Sequence, residues 1–356
     1  MKKVFLKLFL VLGFGITLFI CYLIIIIIYG TITDYKPDNE EVISVNVVYD
    51  TLEVSEKYSL LIWNIGYCGL GKNEDFFYDG GKNVITTKQE VIKNFKKISD
   101  FIIKNDSIDF IQLQEVDISS KRSYDINQFD SLKAKLNKFE GKFGLNYKVN
   151  FVPVPFFSPL CKVTSGLCNF SKHKTVTTKR FAYPGNFIWP KKIFMPDRCY
   201  LVSRYKVNND KELLIINTHN SAFDDGSLKK SQMNILKEFI LNEYTKGNYI
   251  VIAGDWNQLP AGLKIDEFSK NISNNIVYSS IDSNLFSEDW KWIYDKSFPT
   301  NRDLSAPLNK NTYKTIFDYF LFSQNVENIL VKTIDMGFEN SDHNPVVVIF
   351  KLNSEI

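Results

Sequence analysis

Tyr249-Ile250-Val251-Ile252-Ala253-Gly254-Asp255-Trp256-Asn257 reads as a short apolar strand that stops on a carboxylate and an amide. An apolar run of this length, bounded by polar residues, suits a strand buried on both faces. The same punctuation recurs along the chain. Leu60-Leu61-Ile62-Trp63 ends on Asn64, Ile108 to Leu113 ends on Gln114-Glu115-Val116-Asp117, and Leu213 to Asn217 ends on Thr218-His219-Asn220. Ile316-Phe317 passes into Asp318-Tyr319, and Ser341-Asp342-His343-Asn344 leads into the apolar stretch Pro345 to Phe350. One Asp or Asn beside a strand is an ordinary turn residue. Six such sites in one chain point to a shared purpose.

Between these strands lie segments of helical period. Val91, Phe95, Ile98 and Ile102 place a helix over Glu90 to Ile103, and Met233, Leu236, Phe239 and Ile240 place another over Leu228 to Asn242. Lys148 to Val154 and Tyr200 to Tyr205 read as further strands. Strands alternating with helices predict an α/β domain with buried sheets and helices outside them, over residues 57–352.

The chain carries three histidines, and two of them, His219 and His343, fall in the polar set; His173 sits in the basic segment Ser171-Lys172-His173-Lys174 and reads as a loop residue. Carboxylates and amides with few histidines and no CxxC spacing suit a hard, oxygen-loving ion, Mg²⁺ or Mn²⁺. Such an ion binds phosphate oxygens while imidazoles move protons, so the reaction class implied is hydrolysis of a phosphate ester.

Taken in order, WN, QEVD, NTH, GDWN, FDY and SDHNP resemble the endonuclease/exonuclease/phosphatase superfamily, which includes DNase I, abasic-site endonucleases, bacterial sphingomyelinases and inositol polyphosphate 5-phosphatases. The resemblance implies a four-layer α/β/β/α sandwich, DNase I-like, with its site at one end of the sheets. It implies metal binding by Asn64, Glu115 and Asp342, with Glu115 the principal ligand. His343 matches the catalytic His and Asp318 the residue that orients it. Asp255 and Asn257 match the pair that positions the water, and His219 matches a donor to a phosphate oxygen or the leaving group. Asp75 to Lys82 and Lys121 to Gln128 resemble a membrane-anchored bacterial branch, in which Arg122 could clamp a substrate phosphate as well as serve as a surface residue. The expected activity is a nuclease-type phosphodiesterase. A sphingomyelinase-like phospholipid phosphodiesterase, an inositol-phosphate phosphatase and a tethered binding protein on an inactive fold are the alternatives.

Two other readings are weaker. Gly66 to Asn73 nearly matches a phosphate-binding loop, but Asn73 stands where a hydroxyl should bind the metal and no helix pattern follows. No GxSxG elbow exists for a serine hydrolase.

Upstream, Leu8 to Tyr29 is an uncharged run of 22 residues. At about 1.5 Å per residue it is long enough for a bilayer, and it lacks the small-residue cleavage site of a secretory signal. Lys2, Lys3 and Lys7 precede it and no acidic residue occurs before Asp34, which predicts a single-pass protein, N-terminus cytoplasmic and catalytic domain extracytoplasmic. Residues 1–30 are thus expected to be a cytoplasmic stub and anchor, and residues 31–56 a short tether or an added edge strand. The formal net charge of +3 is carried by those three lysines, and the rest of the chain is neutral, which argues against a protein that coats nucleic acid through bulk charge. The domain is expected to be monomeric. Of five cysteines, Cys161 with Cys168 is the most plausible local bridge, and unpaired buried thiols are about as plausible.

Overall fold

The structure is a computed structural model that describes residues 2–222, 224, 226–269 and 278–354. Its strands form two mixed sheets. One has six strands in the order β15 (Val326–Thr333), β16 (Val346–Leu352), β3 (Lys57–Asn64), β4 (Phe110–Asp117), β6 (Cys161–Ser171), β5 (Glu140–Val152). The other runs β1 (Glu40–Val45), β7 (Thr177–Ala182), β8 (Cys199–Val207), β9 (Glu212–His219), β10 (Tyr249–Asp255), β14 (Asp318–Phe322), β11 (Lys291–Ile293), with β2 (Thr51–Leu52) set beside β8. A separate ribbon pairs β12 (Asn301–Arg302) with β13 (Lys314–Thr315).

Alternation along the strands decides the layers. In β3, Leu60 and Ile62 pack between the sheets against Phe110, Val251, Phe320 and Phe350, whereas Leu61 and Trp63 face outward. Helix α2 (Lys88–Lys104), capped by the Thr87 side chain accepting from the Glu90 N–H, covers that outer face with Val91, Ile98 and Ile102, beside α3 (Gln128–Lys135). On the opposite side α4 (Ser227–Thr245) lays Met233, Leu236 and Ile240 on β8, β9 and β10. The result is the α/β/β/α sandwich that the resemblance implies.

Helix α1 (Lys2–Ile32) is unbroken over 31 residues, and only Ile26 and Gly30 in it are buried. It is long and apolar enough to cross a membrane. Seven residues then lead to β1, which pairs antiparallel with β7 from Glu40↔Phe181 to Val45↔Thr177. Residues 40–45 are therefore the added edge strand of the two alternatives, and the sheets take in residues upstream of 57. All five cysteines are free. Cys161 and Cys168 lie in the single extended strand β6, where seven residues at about 3.3 Å each hold them far beyond the reach of a disulfide.

Candidate active site

The polar strand ends converge because β9 and β10 run parallel while β14 enters antiparallel beside them. In register, His219 lies opposite Asp255, and Asp255 opposite Asp318, so three of the expected site residues form one row across neighbouring strands. Gly254 makes the row possible. Its φ is +146°, and a Cβ there would stand 1.9 Å from the Thr218 carbonyl oxygen. In the other sheet β3 and β4 bring Asn64 and Glu115 to the same end. The β4–β6 register slips between Leu113 and Val116, and Glu115, at φ +55°, turns out of the ladder into the cavity.

Contacts link every expected catalytic residue. His343 Nδ1 is 2.7 Å from Asp318 Oδ2, and its Nε2 lies 3.7 Å from both Asp255 Oδ2 and Asp342 Oδ2. His219 Nε2 approaches Asp255 Oδ2 at 3.4 Å. The Asn64 amide donates to Asp255 Oδ2 at 3.0 Å and to Glu115 Oε1 at 3.4 Å, and its oxygen accepts from the Gly66 N–H. Asn64 is thus a strut between the two carboxylates, and turns its amide nitrogen, not its oxygen, toward them. Asn257, at φ +50°, donates its backbone N–H to Asp255 Oδ1 and its side chain to the Asn220 carbonyl.

Burial and neighbouring charge drive the two histidines apart. Burial opposes a charge on His343, but Asp318, Asp342 and Asp255 overcome it and hold this imidazole well above its ordinary pKa. Burial, reinforced by Arg198, His343 and Arg122, pushes His219 well below. Burial also lifts Asp318 and Asp342 to about 6, His343 opposing it in both and the Glu115 charge adding to it at Asp342.

Glu115 and Asp342 share the cavity wall, and the Glu115 charge raises the cost of ionising Asp342, an all-oxygen pair with the chemistry of a hard divalent cation site. Asp255, Asp318 and His343 also offer ligand atoms within 4.8 Å of one another, but the short His343–Asp318 contact uses two of those groups on each other. The residues present fit a Mg²⁺ or Mn²⁺ ion at Glu115 and Asp342.

Arg122, which the sequence leaves open as a phosphate clamp or a surface residue, is buried at the cavity wall. Its Nε and Nη2 bond Asp117 at 3.1 and 3.0 Å, and the guanidinium stacks 3.7 Å over the Tyr67 ring. It braces the loop after β4 and lies 3.9 Å from Glu115. The guanidinium at the cavity wall without a hydrogen-bond or ion-pair partner among the described residues belongs to Arg198. A search for carboxylates, amides and imidazoles beside strands passes over an arginine: Arg198 lies just before β8, and because β8 is antiparallel to β9 that start lies at the same end of the sheet as His219. Asn301, which meets His343 Nε2 at 3.0 Å, sits in a two-residue ribbon that leaves no periodic signal. Lys72 of the apparent phosphate loop instead pairs with Glu339 at the surface.

This row of carboxylates and imidazoles at one end of a two-sheet sandwich decides the fold family. The chain has the endonuclease/exonuclease/phosphatase fold. It is similar to the endonuclease/exonuclease/phosphatase protein of Beutenbergia cavernae, at 16% identity over 83% of this chain and 72% of that one, with a TM-score of 0.56. It is also similar to D. rerio TDP2 complexed with a single-strand DNA product, at 14% identity over 83% and 99% of the two chains, TM-score 0.53. A third similar structure is ANGEL2, a 2',3'-cyclic phosphatase, at 15% identity over 89% and 99%, TM-score 0.53. No protein-family model and no curated protein match the sequence.

Proposed function

We propose that this chain is a divalent-metal-dependent phosphodiesterase anchored in a membrane by α1, with its catalytic domain outside the cytoplasm. The observation that carries the reading is the chain Asp318–His343–Asp255–His219, set beside the all-oxygen pair Glu115 and Asp342. Hydrolysis here adds a water oxygen to phosphorus and breaks the bond to the ester oxygen, which leaves with a proton. Asp255 and His343, 3.7 Å apart, are the proton-handling pair: they take the proton of the attacking water and return one to the leaving group. Asp318 fixes the His343 ring, Asn257 fixes the Asp255 carboxylate, and neutral His219 donates to phosphate. Mg²⁺ or Mn²⁺ at Glu115 and Asp342 would supply charge stabilisation for the phosphoryl oxygens. The neighbours that carry nucleic-acid ligands in their names support the nuclease-type reading.

The test is hydrolysis of bis(p-nitrophenyl) phosphate by the full chain in detergent. Turnover should require Mg²⁺ or Mn²⁺ and vanish with chelator, and metal at a hundred times its dissociation constant should stabilise the fold by about 2.7 kcal/mol. No turnover with any divalent ion would sink the enzyme reading.

Arg198→Ala should raise KM for the same ester by about 10- to 100-fold, the worth of a charge-assisted phosphate contact, with little change in unfolding because no described residue hydrogen-bonds or ion-pairs with the guanidinium. An unchanged KM would remove Arg198 from the substrate site.

A further inference from the structure

The segment Phe187 to Arg198 has two faces. Toward α1, Trp189 Nε1 donates to Thr31 Oγ1 at 3.3 Å, and Gly30 lets Ile193 and Phe194 approach so closely that a Cβ on the glycine would stand 2.9 Å from the Ile193 methyl. Toward the catalytic cavity, Phe187, Met195, Pro196 and Arg198 line the wall. One short stretch therefore joins the helix to the mouth of the site.

A second loop meets the helix at another height. The Phe156 ring packs edge-on against Phe19 and Tyr22, each with centroids 5.5 Å away, and Phe157 beside it is 95% exposed. Ile188 is 88% exposed and Trp189 half exposed. Large apolar side chains left bare on two adjacent loops are costly in water.

Helix length sets the depth of these loops. The 31 residues of α1 extend about 46 Å against a hydrocarbon core of about 30 Å. About twenty residues counted from Leu8, the first after the charged Lys7, end the span near Ile27. Gly30 lies beyond that point, where the helix leaves lipid and meets protein, and Thr31, which holds Trp189, stands about 6 Å outside the hydrocarbon edge, among the headgroups where tryptophan belongs. Tyr22 and Phe19 then sit about 8 and 12 Å inside the edge, and Phe156, packed against both, is carried close to the roughly 5–10 Å to which interfacial apolar groups bury.

We infer that Phe156, Phe157, Ile188 and Trp189 form a bilayer-docking face beside α1 that sets the catalytic cavity against the lipid headgroups, and that the phosphodiester taken there belongs to a membrane lipid. The apolar wall of Leu160, Phe187, Met195 and Pro196 is continuous with that face and gives the lipid's apolar portion a path, while Arg198 receives its phosphate. The inference rests on the anchored phosphodiesterase reading and, within it, takes the phospholipid alternative over the nuclease-type one.

The test uses the full chain reconstituted in phospholipid vesicles. Phe157→Trp should be quenched by lipids brominated in the upper acyl chain, and emission like that of a water-exposed indole would overturn the docking face. Resistance of the protein to alkaline extraction reports separately on whether α1 is embedded. A double variant Phe157→Asp, Ile188→Asp should lose about tenfold or more in turnover of vesicle phospholipid and keep its turnover of soluble bis(p-nitrophenyl) phosphate. Equal loss on both esters, or cleavage of oligonucleotides and no phospholipid, would overturn the lipid assignment. Inactivity toward the soluble ester would instead count against the phosphodiesterase reading itself.

Discussion

Replacing His343 with Ala is expected to lower kcat for bis(p-nitrophenyl) phosphate by about 10²- to 10⁴-fold, the range for loss of a positioned acid–base group. The ring is held between Asp318 Oδ2 at 2.7 Å and Asp255 Oδ2 at 3.7 Å, so its removal takes away one member of the proton-handling pair and the orientation of the other. The fold should survive. Asp318 would lose its cation, but burial already lifts that carboxyl to about 6, so it can take up a proton instead of standing charged in the interior. Asp318→Asn separates positioning from chemistry: it keeps a polar partner beside Nδ1 but removes the charge that favours the protonated ring, and kcat should fall while KM stays near its original value. A rate near that of the unaltered chain in His343→Ala would remove this residue from the mechanism.

The largest structural effect is expected at Gly254. An alanine there would need φ +146°, which only glycine adopts readily, and its Cβ would be driven 1.9 Å from the backbone oxygen of Thr218 in the adjacent parallel strand. No flexible side chain can yield, because the obstacle is backbone. Gly254→Ala should destabilise the domain by about 3 kcal/mol or more, read as a lower denaturant midpoint with an unchanged slope. Activity should fall with it, since His219 and Asp255 flank the displaced peptides. A midpoint within error of the unaltered chain would show that β9 and β10 pair differently from the register described.

These positions were readable in the sequence for a physical reason. Strands buried on both faces are apolar throughout, so a polar residue at the end of β3, β4, β9 or β10 stands out from its run. Strands with a wet face leave no such mark: Glu40–Val45 has only exposed and partly buried positions and reads equally as tether or edge strand, and Val326–Thr333 mixes buried and exposed positions. Arg122 lay in a suggestive motif, but its role depended on Asp117, whose carboxylate is fully buried and must be neutralised by some cation. The Cys161–Cys168 pairing failed because nearness in sequence is separation in space once the chain is extended.

The pairing of β1 with β7 bears on how the domain can be obtained free of its anchor. A version of the chain beginning at residue 57 would strip β1 away and leave the open backbone row of β7 as a template for a second molecule. Such a fragment should self-associate at concentrations where one beginning just before Glu40 stays dispersed, because the latter carries its own edge guard. What lies between the helix and the two-sheet domain is in this sense a solubility element.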